Sequence, residues 1–281
     1  MPILSGKKAY SAMPFLANSR YLWRVWRANA RASFIREMEF RSNFFLGILR
    51  QGLWLAAFIF LIEIIFNHTQ SIAGWQKPEA LIILALSRIV EGIMDTFFTR
   101  NIADLPTIVQ KGGFDFYLTK PSPVLFYTSF KQFYLHSTIG HIGGGLATFL
   151  YALSQLNYQP NLSTWLIMIL LIITGLTIFY SLLILLASLV FYIERLEALW
   201  SFLQLMTEPL TVPFDVFPTT PRLALTYALP LAFIVFVPAQ AITGRLQLWQ
   251  LPTAITLAAI SLILANLAWR AGLRRYSSAS S

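Results

Sequence analysis

Long apolar runs broken by short polar interruptions fill the chain from about residue 44 onward. Six of them have the character of membrane helices, at roughly 44–66, 79–99, 124–151, 163–192, 198–212 and 251–272. About 20 helical residues cross the ~30 Å of bilayer hydrocarbon, so the fourth run, at roughly 30 residues, tilts or projects. A further apolar stretch, 227–243, is interrupted by Pro230 and Pro238. Ahead of the first run, Arg20, Arg24, Arg27 and Arg31 share one helical face, flanked by Trp23, Trp26, Ala30 and Phe34. A cationic stripe beside tryptophans predicts a helix lying in the membrane interface; the plainer alternative is an arginine-rich tail that sets orientation. The pattern therefore predicts an all-α integral membrane protein. It has six transmembrane helices, an N-terminal amphipathic interfacial helix and an outer re-entrant helix before the last span.

Composition strengthens that picture. The chain is 57% hydrophobic and 12% charged, about half the charge of a soluble domain. With no cysteine, disulfides, thiolate nucleophiles and sulfur-ligated metals are excluded. The net charge of +9 would suggest nucleic acid in a soluble protein. Here the positives cluster beside apolar runs, so it points to topology and to anionic membrane lipid, and no nucleic acid is expected. With both termini in the cytoplasm, only Lys77, Arg222 and Arg245 of the 21 basic residues fall outside, and Arg50, Arg88 and Lys131 lie within spans. The other fifteen, Lys7, Lys8 and Arg195 among them, fall inside, a strong positive-inside bias. A crossing at 227–243 would put the C-terminal arginines outside, so that stretch reads as re-entrant. The expected organisation is a cytoplasmic N-terminus over 1–43, a membrane domain over 44–273 and a tail over 274–281. The membrane domain has an inner loop at about 101–123 and an outer segment at about 214–250. Glu194, Arg195 and Glu197 mark a short inner turn. The first span begins too far in for a cleaved signal peptide and is expected to act as an uncleaved one.

Charges at membrane depth are candidate functional residues. Arg88, Glu91 and Asp95 share one face of the second span, and Arg50 lies at a depth similar to Asp95 in the first. These four either line a polar pathway or close on themselves as ion pairs near helix ends, and Arg50 could pair with Asp95. Gly143, Gly144 and Gly145 allow close helix contact or a bend. His136 and His141 are spaced poorly for a shared metal, and no metal site is expected. Phosphate-loop, nucleophile-elbow and H-E-x-x-H motifs are all missing. The most distinctive polar stretch is KGGFDFYLTKPSP, Lys111 to Pro123. Its glycines free a sharp turn and its prolines stop a helix. Phe114, Phe116 and Tyr117 can fill an apolar groove, and Asp115 and Lys120 can fix register by ion pairing.

The basic N-terminal segment, this loop between spans two and three, and YALPLAFIVFVPAQAITG before the last span together resemble the membrane subunit of an ABC-2 type ATP-binding cassette transporter. The resemblance rests on Gly112 or Gly113, Asp115, Leu118, Lys120 and Pro121 in the loop, and on Pro230, Ala232, Phe233, Pro238 and Ala239 in the outer segment. It implies a non-enzymatic permease, an exporter in the inner (plasma) membrane, forming the pathway with a second permease subunit, identical or related. Separate cytoplasmic ATPase subunits would bind ATP-Mg, none being bound by this chain. The loop, with Phe114 and Phe116 in it, would be the coupling helix seated on the ATPase, and the segment with Pro230, Phe233 and Pro238 would close the pathway from outside. Two other readings of the residues stay open: an ion-coupled secondary transporter using Arg88, Glu91 and Asp95, and a membrane transferase for lipid-linked substrates working through His68, His136 or His141.

Overall fold

The computed structural model describes residues 19–156, 158–193 and 199–276. Lys7, Lys8, the Glu194–Arg195–Glu197 turn, the expected start of the fifth run and the serine tail lie outside those residues. The described chain is helical, and its only strand-like feature is an isolated bridge between Ile72 and Trp75. Helices α1 (Ser19–Glu39) and α2 (Arg41–His68) come first. Then α3 (Lys77–Phe97) begins at a capping box made by Gln76 and Glu79, with Pro78 in its first turn. Short helices α4 (Thr99–Ala103), α5 (Leu105–Gln110), α6 (Phe114–Leu118) and α7 (Val124–Ser129) follow.

The third run departs from the expected continuous span. Its helix stops at Ser129 and resumes as α8 (Leu135–Ser137), a π-helical turn Thr138–Gly143 and α9 (Gly144–Ser154). The backbone of 129–136 is satisfied by other elements, as buried polar groups require. Asn101 Nδ2 donates to the carbonyls of Ser129 (3.0 Å) and Gln132 (2.7 Å), and Asn101 Oδ1 accepts from the Gln132 N–H (3.1 Å). From α1, Asn29 Nδ2 donates to Phe130 O (2.9 Å), while Ser33 Oγ accepts from the Phe133 N–H (3.0 Å) and Glu37 Oε2 from the His136 N–H (3.3 Å). Asn29, Ser33 and Glu37 recur every four residues, so one stripe of α1 closes the break while Arg20, Arg24, Arg27 and Arg31 stay exposed. Trp26 adds an edge contact to Phe133 at 5.3 Å, and Trp23, stacked on Trp26 at 4.9 Å, is exposed.

The fourth run is α10 (Leu162–Ser188), capped by Asn161 and extended by a 3-10 turn, Leu189–Phe191. The described part of the fifth run is α11 (Leu199–Thr207), about 13 Å long, and a 3-10 turn Glu208–Thr211 continues it. Next come α12 (Thr219–Leu223), a π-helical turn Ala224–Ala228, α13 (Phe236–Ile242) and α14 (Gln250–Arg275). Among the described residues, three helices are long and apolar enough to cross a membrane, Arg41–His68, Leu162–Phe191 and Gln250–Arg275. A fourth is added if Thr219–Ala228 and Leu231–Ile242, bent by 70° at Pro230, count as one span. Helix α3 carries too many charges to qualify, because it is the centre of the bundle. Most of its residues from Glu79 to Thr96 are buried, and α9, α10 and α13 pack on it. By contrast, Gln51 and Leu55 are the only buried residues of α2.

Small residues set the closest contacts. On α14 the buried stripe Ala254, Ala258, Ser261, Ala265 and Gly272 faces α10. A Cβ on Gly175 of α10 would lie 2.7 Å from Ile234 O, so α10 rests directly on the outer segment's backbone. Of the glycine triplet, Gly145 lets α9 approach Ala85 of α3, and the π-helical turn ends at Gly143.

The three cations assigned to the outer side are each ion-paired at the end where α2 meets α3. Lys77 pairs with Glu63, Arg222 with Asp215 (3.2 Å) and Arg245 with Glu79 (2.7 Å). Trp75, 1% exposed, donates its indole N–H to Asp215 (2.9 Å) and lies under the Arg245 guanidinium at 4.7 Å. Arg245 follows Gly244, whose φ of 75° closes α13 with an Arg245 N–H bond to Gln240 O. This network joins the α2–α3 turn to the segment between α11 and α14.

Candidate functional site

The main cavity has a volume of about 980 Å³. Helix α2 contributes Arg50, Gln51, Trp54 and Phe58 to it, and α3 contributes Arg88, Glu91 and Asp95. The start of the inner loop adds Thr99, Arg100 and Asp104. Tyr134, His141 and Phe179 complete one wall, and residues from Leu203 to Thr211 form the other. All four charged residues singled out in spans one and two therefore meet in one cavity. The pairing differs from the one considered in sequence: Arg88 Nη2 bonds Glu91 Oε2 at 2.7 Å, and Arg50 and Asp95 form no ion pair with each other.

Several polar atoms of the lining have no hydrogen-bond partner among the described residues. They include Gln51 Oε1, Arg88 Nε and His141 Nδ1. Gln51, 5% exposed, donates only a 3.3 Å bond to Ser137 Oγ. His141 Nδ1 lies 3.9 Å from Glu91 Oε2, beyond hydrogen-bonding reach. Buried polar atoms left over in this way mark a place where water or a ligand completes the structure. The other histidines are engaged elsewhere: His136 Nδ1 is 2.7 Å from Glu37 Oε1, and His68 Nδ1 is 2.9 Å from Ile64 O. The described residues contain no group of acids and histidines suited to a metal.

The inner loop folds as a small aromatic module. Gly112, at φ 70°, ends α5 with the Gly113 N–H bonded back to Ile108 O. Phe114 turns inward, fully buried against Tyr117, Phe191 and Tyr276 with ring centroids 5.7, 5.4 and 5.0 Å away. Tyr117 is also buried, and its hydroxyl accepts from Lys131 Nζ at 2.9 Å. Burial, with Asp104 adding to it, pushes the Tyr117 phenol up to about 12. Leu118 packs against the core. Asp115 Oδ1 accepts from the Tyr276 hydroxyl at 3.1 Å, fastening the loop to the end of α14. Phe116 faces out, 58% exposed, with Lys120 Nζ 3.6 Å above its ring and Pro121 exposed nearby. Of the three aromatics expected to fill a partner's groove, Phe114 and Tyr117 are used by this chain's own core, and Phe116 is free to reach outward. In the outer segment, Pro230, Phe233 and Pro238 lie in a continuously buried run from Pro230 to Ala239.

Comparison with protein families decides the class: the sequence model described as ABC-2 family transporter protein matches residues 53–280. The chain belongs to this ABC-2 family. It is a membrane transport subunit, and its family in general associates with ATP-binding cassette ATPases. No curated protein and no solved structure matches it. The match covers the inner loop, the outer segment and every cavity residue except Arg50 and Gln51.

Sequence reasoning had no view of the α1 stripe or of Gln51. The Asn29–Ser33–Glu37 spacing was visible, but the arginine stripe beside it drew the reading toward lipid.

Proposed function

We propose that this ABC-2 chain is the pathway-forming permease of an exporter, driven by separate ATP-Mg-binding ATPase subunits that press on the inner loop. One observation carries the reading. Thr99, Arg100 and Asp104 line the cavity and also begin the stretch that leads, through α5, into the Gly112–Pro121 module. A displacement of that module reaches the cavity wall within a few residues, as a rigid-body switch requires.

In this reading the chain crosses an inner (plasma) membrane six times with both ends cytoplasmic. The crossings are α2, α3, residues 135–154, α10, residues 199–211 and α14. Support comes from Lys77, Arg222 and Arg245, which gather at the end opposite the inner loop. The segment bent at Pro230 is a re-entrant cap on the outer side, and its burial against Gly175 supports that role. A second permease subunit covers the exposed side of α2, where Leu46, Leu49, Leu53 and Phe60 are at least half exposed, and the remaining apolar surface meets lipid. The arginine face of α1 lies against anionic headgroups.

Phe116 and Lys120 are the contact with the ATPase. The test reconstitutes the permease with its co-purifying ATPase and follows ATP-driven transport and coupled ATP hydrolysis. Phe116→Ala and Lys120→Glu each lower coupled hydrolysis several-fold and leave the permease's unfolding temperature unchanged, because neither side chain is part of the core. Full coupling in both variants sinks the loop assignment. Transport by the permease alone, driven by a proton or sodium gradient without ATP, moves the assignment to an ion-coupled carrier built on Arg88, Glu91 and Asp95.

A further inference from the structure

The cavity's charges have an arrangement that restricts what can occupy it. Three guanidiniums, Arg50, Arg88 and Arg100, share its lining with four carboxylates, Glu91, Asp95, Asp104 and Glu208. Among the described residues only Arg88 and Glu91 close into an ion pair. No other pair of these seven comes into close contact; Arg100 acts on Asp95 and Asp104 from a longer distance, and Lys131 acts on Asp104. Asp95 and Arg100 are partly buried, where a counter-charge arriving with the solute is favourable, while Arg50, Asp104 and Glu208 are exposed. A purely anionic solute would suit the three arginines and lie against the carboxylates of Asp95, Asp104 and Glu208. A purely cationic one would do the reverse.

The deep end adds a specific acceptor requirement. Arg88 uses Nη2 on Glu91 and leaves its Nε–H unpartnered, so the same guanidinium still offers a donor to an oxyanion. All three arginines line the same cavity as the His141 ring. Trp54, Phe58 and Phe179 supply an apolar wall, suited to a hydrocarbon body or to the face of an ammonium group. Tyr134 already lies 4.7 Å under Arg100. The volume, about 980 Å³, is at the upper end for a small-molecule site, large enough for a headgroup with part of an attached chain.

We infer that the cavity takes a molecule whose head carries both signs, a phosphate or carboxylate beside an ammonium. The anionic part sits against Arg88 and its neighbouring arginines, and the cationic part against Asp95 and Glu208. This rests on the cavity being the permease's pathway, and it names the class of cargo.

Equilibrium dialysis of the full-length chain in mild detergent tests it with four probes. They are lauroyl-lysophosphatidylethanolamine, lauroyl-lysophosphatidylglycerol, dodecylamine and chain-free glycerophosphoethanolamine. The expected result is that the lysophosphatidylethanolamine binds about tenfold tighter than the anionic and cationic amphiphiles. Arg88→Gln and Asp95→Asn each weaken it by about tenfold, while Leu262→Ala on the outer face of α14 does not. Arg88→Gln leaves Glu91 without its partner and threatens folding. Glu208→Gln, on an exposed residue, is the second variant and weakens binding in the same sense. If glycerophosphoethanolamine competes at equal concentration, the zwitterion is a soluble solute. If only the lysolipid binds, it is a membrane lipid. Either result supports the charge assignment. Equal or tighter binding of the anionic or cationic amphiphile overturns it, and so does lysophosphatidylethanolamine binding that is indifferent to both Asp95→Asn and Glu208→Gln. The pathway reading fails separately. Gln204→Cys introduces a single thiol into this cysteine-free chain; if blocking it with a bulky maleimide leaves ATP-driven transport unchanged, the pathway lies elsewhere whatever the cavity binds.

Discussion

Asn101 offers the sharpest single test of how the bundle holds its inner loop. The residue is 1% exposed. Its amide nitrogen donates to Phe97 O (2.9 Å), Ser129 O (3.0 Å) and Gln132 O (2.7 Å), and its oxygen accepts from the Gln132 N–H (3.1 Å). The Phe97 contact lies within one helical turn and contributes little. The other three fasten α4 to the unwound backbone before α8. A neutral hydrogen bond contributes about 1 kcal/mol net, and a buried partner left unsatisfied costs about 1–3 kcal/mol. Asn101→Ala is therefore expected to lose about 3 kcal/mol. Asn101→Asp separates hydrogen bonding from shape. It keeps the volume and the acceptor from Gln132 N–H, but turns an oxygen toward three carbonyl oxygens. It should be at least as damaging as alanine, and most damaging at high pH, where the carboxyl cannot hold a proton. Chemical unfolding in detergent micelles, followed by tryptophan fluorescence from pH 5 to 8, reads both. If Asn101→Asp stays within about 0.5 kcal/mol of the parent chain, the unwound backbone is held by packing and not by these bonds.

Two further outcomes follow from the two ends of the molecule. Arg245→Ala strands the Glu79 carboxylate, which is 8% exposed. Breaking a buried pair costs about 3–5 kcal/mol, and Arg245 is partly solvated, so the expected loss is about 2 kcal/mol; adding Glu79→Gln should recover part of it, and a strictly additive double mutant refutes the pairing. The Tyr117 phenol holds its proton up to about 12 in the folded chain, against a usual 10.0. The stability linked to it is complete below pH 10 and is lost as pH rises through 12; absorbance titration of tyrosinate should show less late signal in Tyr117→Phe, and an unchanged curve excludes the assignment.

The long apolar helices were legible because lipid and core both select unbroken apolar sequence. Residues 41–68, 162–191 and 250–275 satisfy that rule with little help from neighbours. Helix α3 was legible as a largely apolar helix carrying charge, and its burial at the centre of the bundle explains why Arg88, Glu91 and Asp95 are tolerated. What the apolar pattern could not reveal was the interruption at 130–134. Phe130, Phe133 and Tyr134 are apolar enough to continue a helix, and the side chains that replace its hydrogen bonds come from Asn29, Ser33, Glu37 and Asn101, distant in sequence. The inward turn of Phe114 was hidden for a similar reason. Its pocket is built from Phe191 and Tyr276, and no local spacing distinguishes it from Phe116, two residues on.

The interruption before α8 also bears on how the chain is made. Every side chain that satisfies it, on Asn29, Ser33, Glu37 and Asn101, precedes it in the sequence, as does Thr96, whose carbonyl accepts from the Tyr134 N–H at 3.1 Å. A ribosome delivers the partners first and the exposed backbone afterwards. The backbone of residues 129–136 therefore emerges where these partners are already made, while the Ser129 hydroxyl waits for Tyr180 (2.8 Å) on α10. A circular permutation that moved α1 behind α14 would supply the same Asn29, Ser33 and Glu37 side chains and reverse that order of birth.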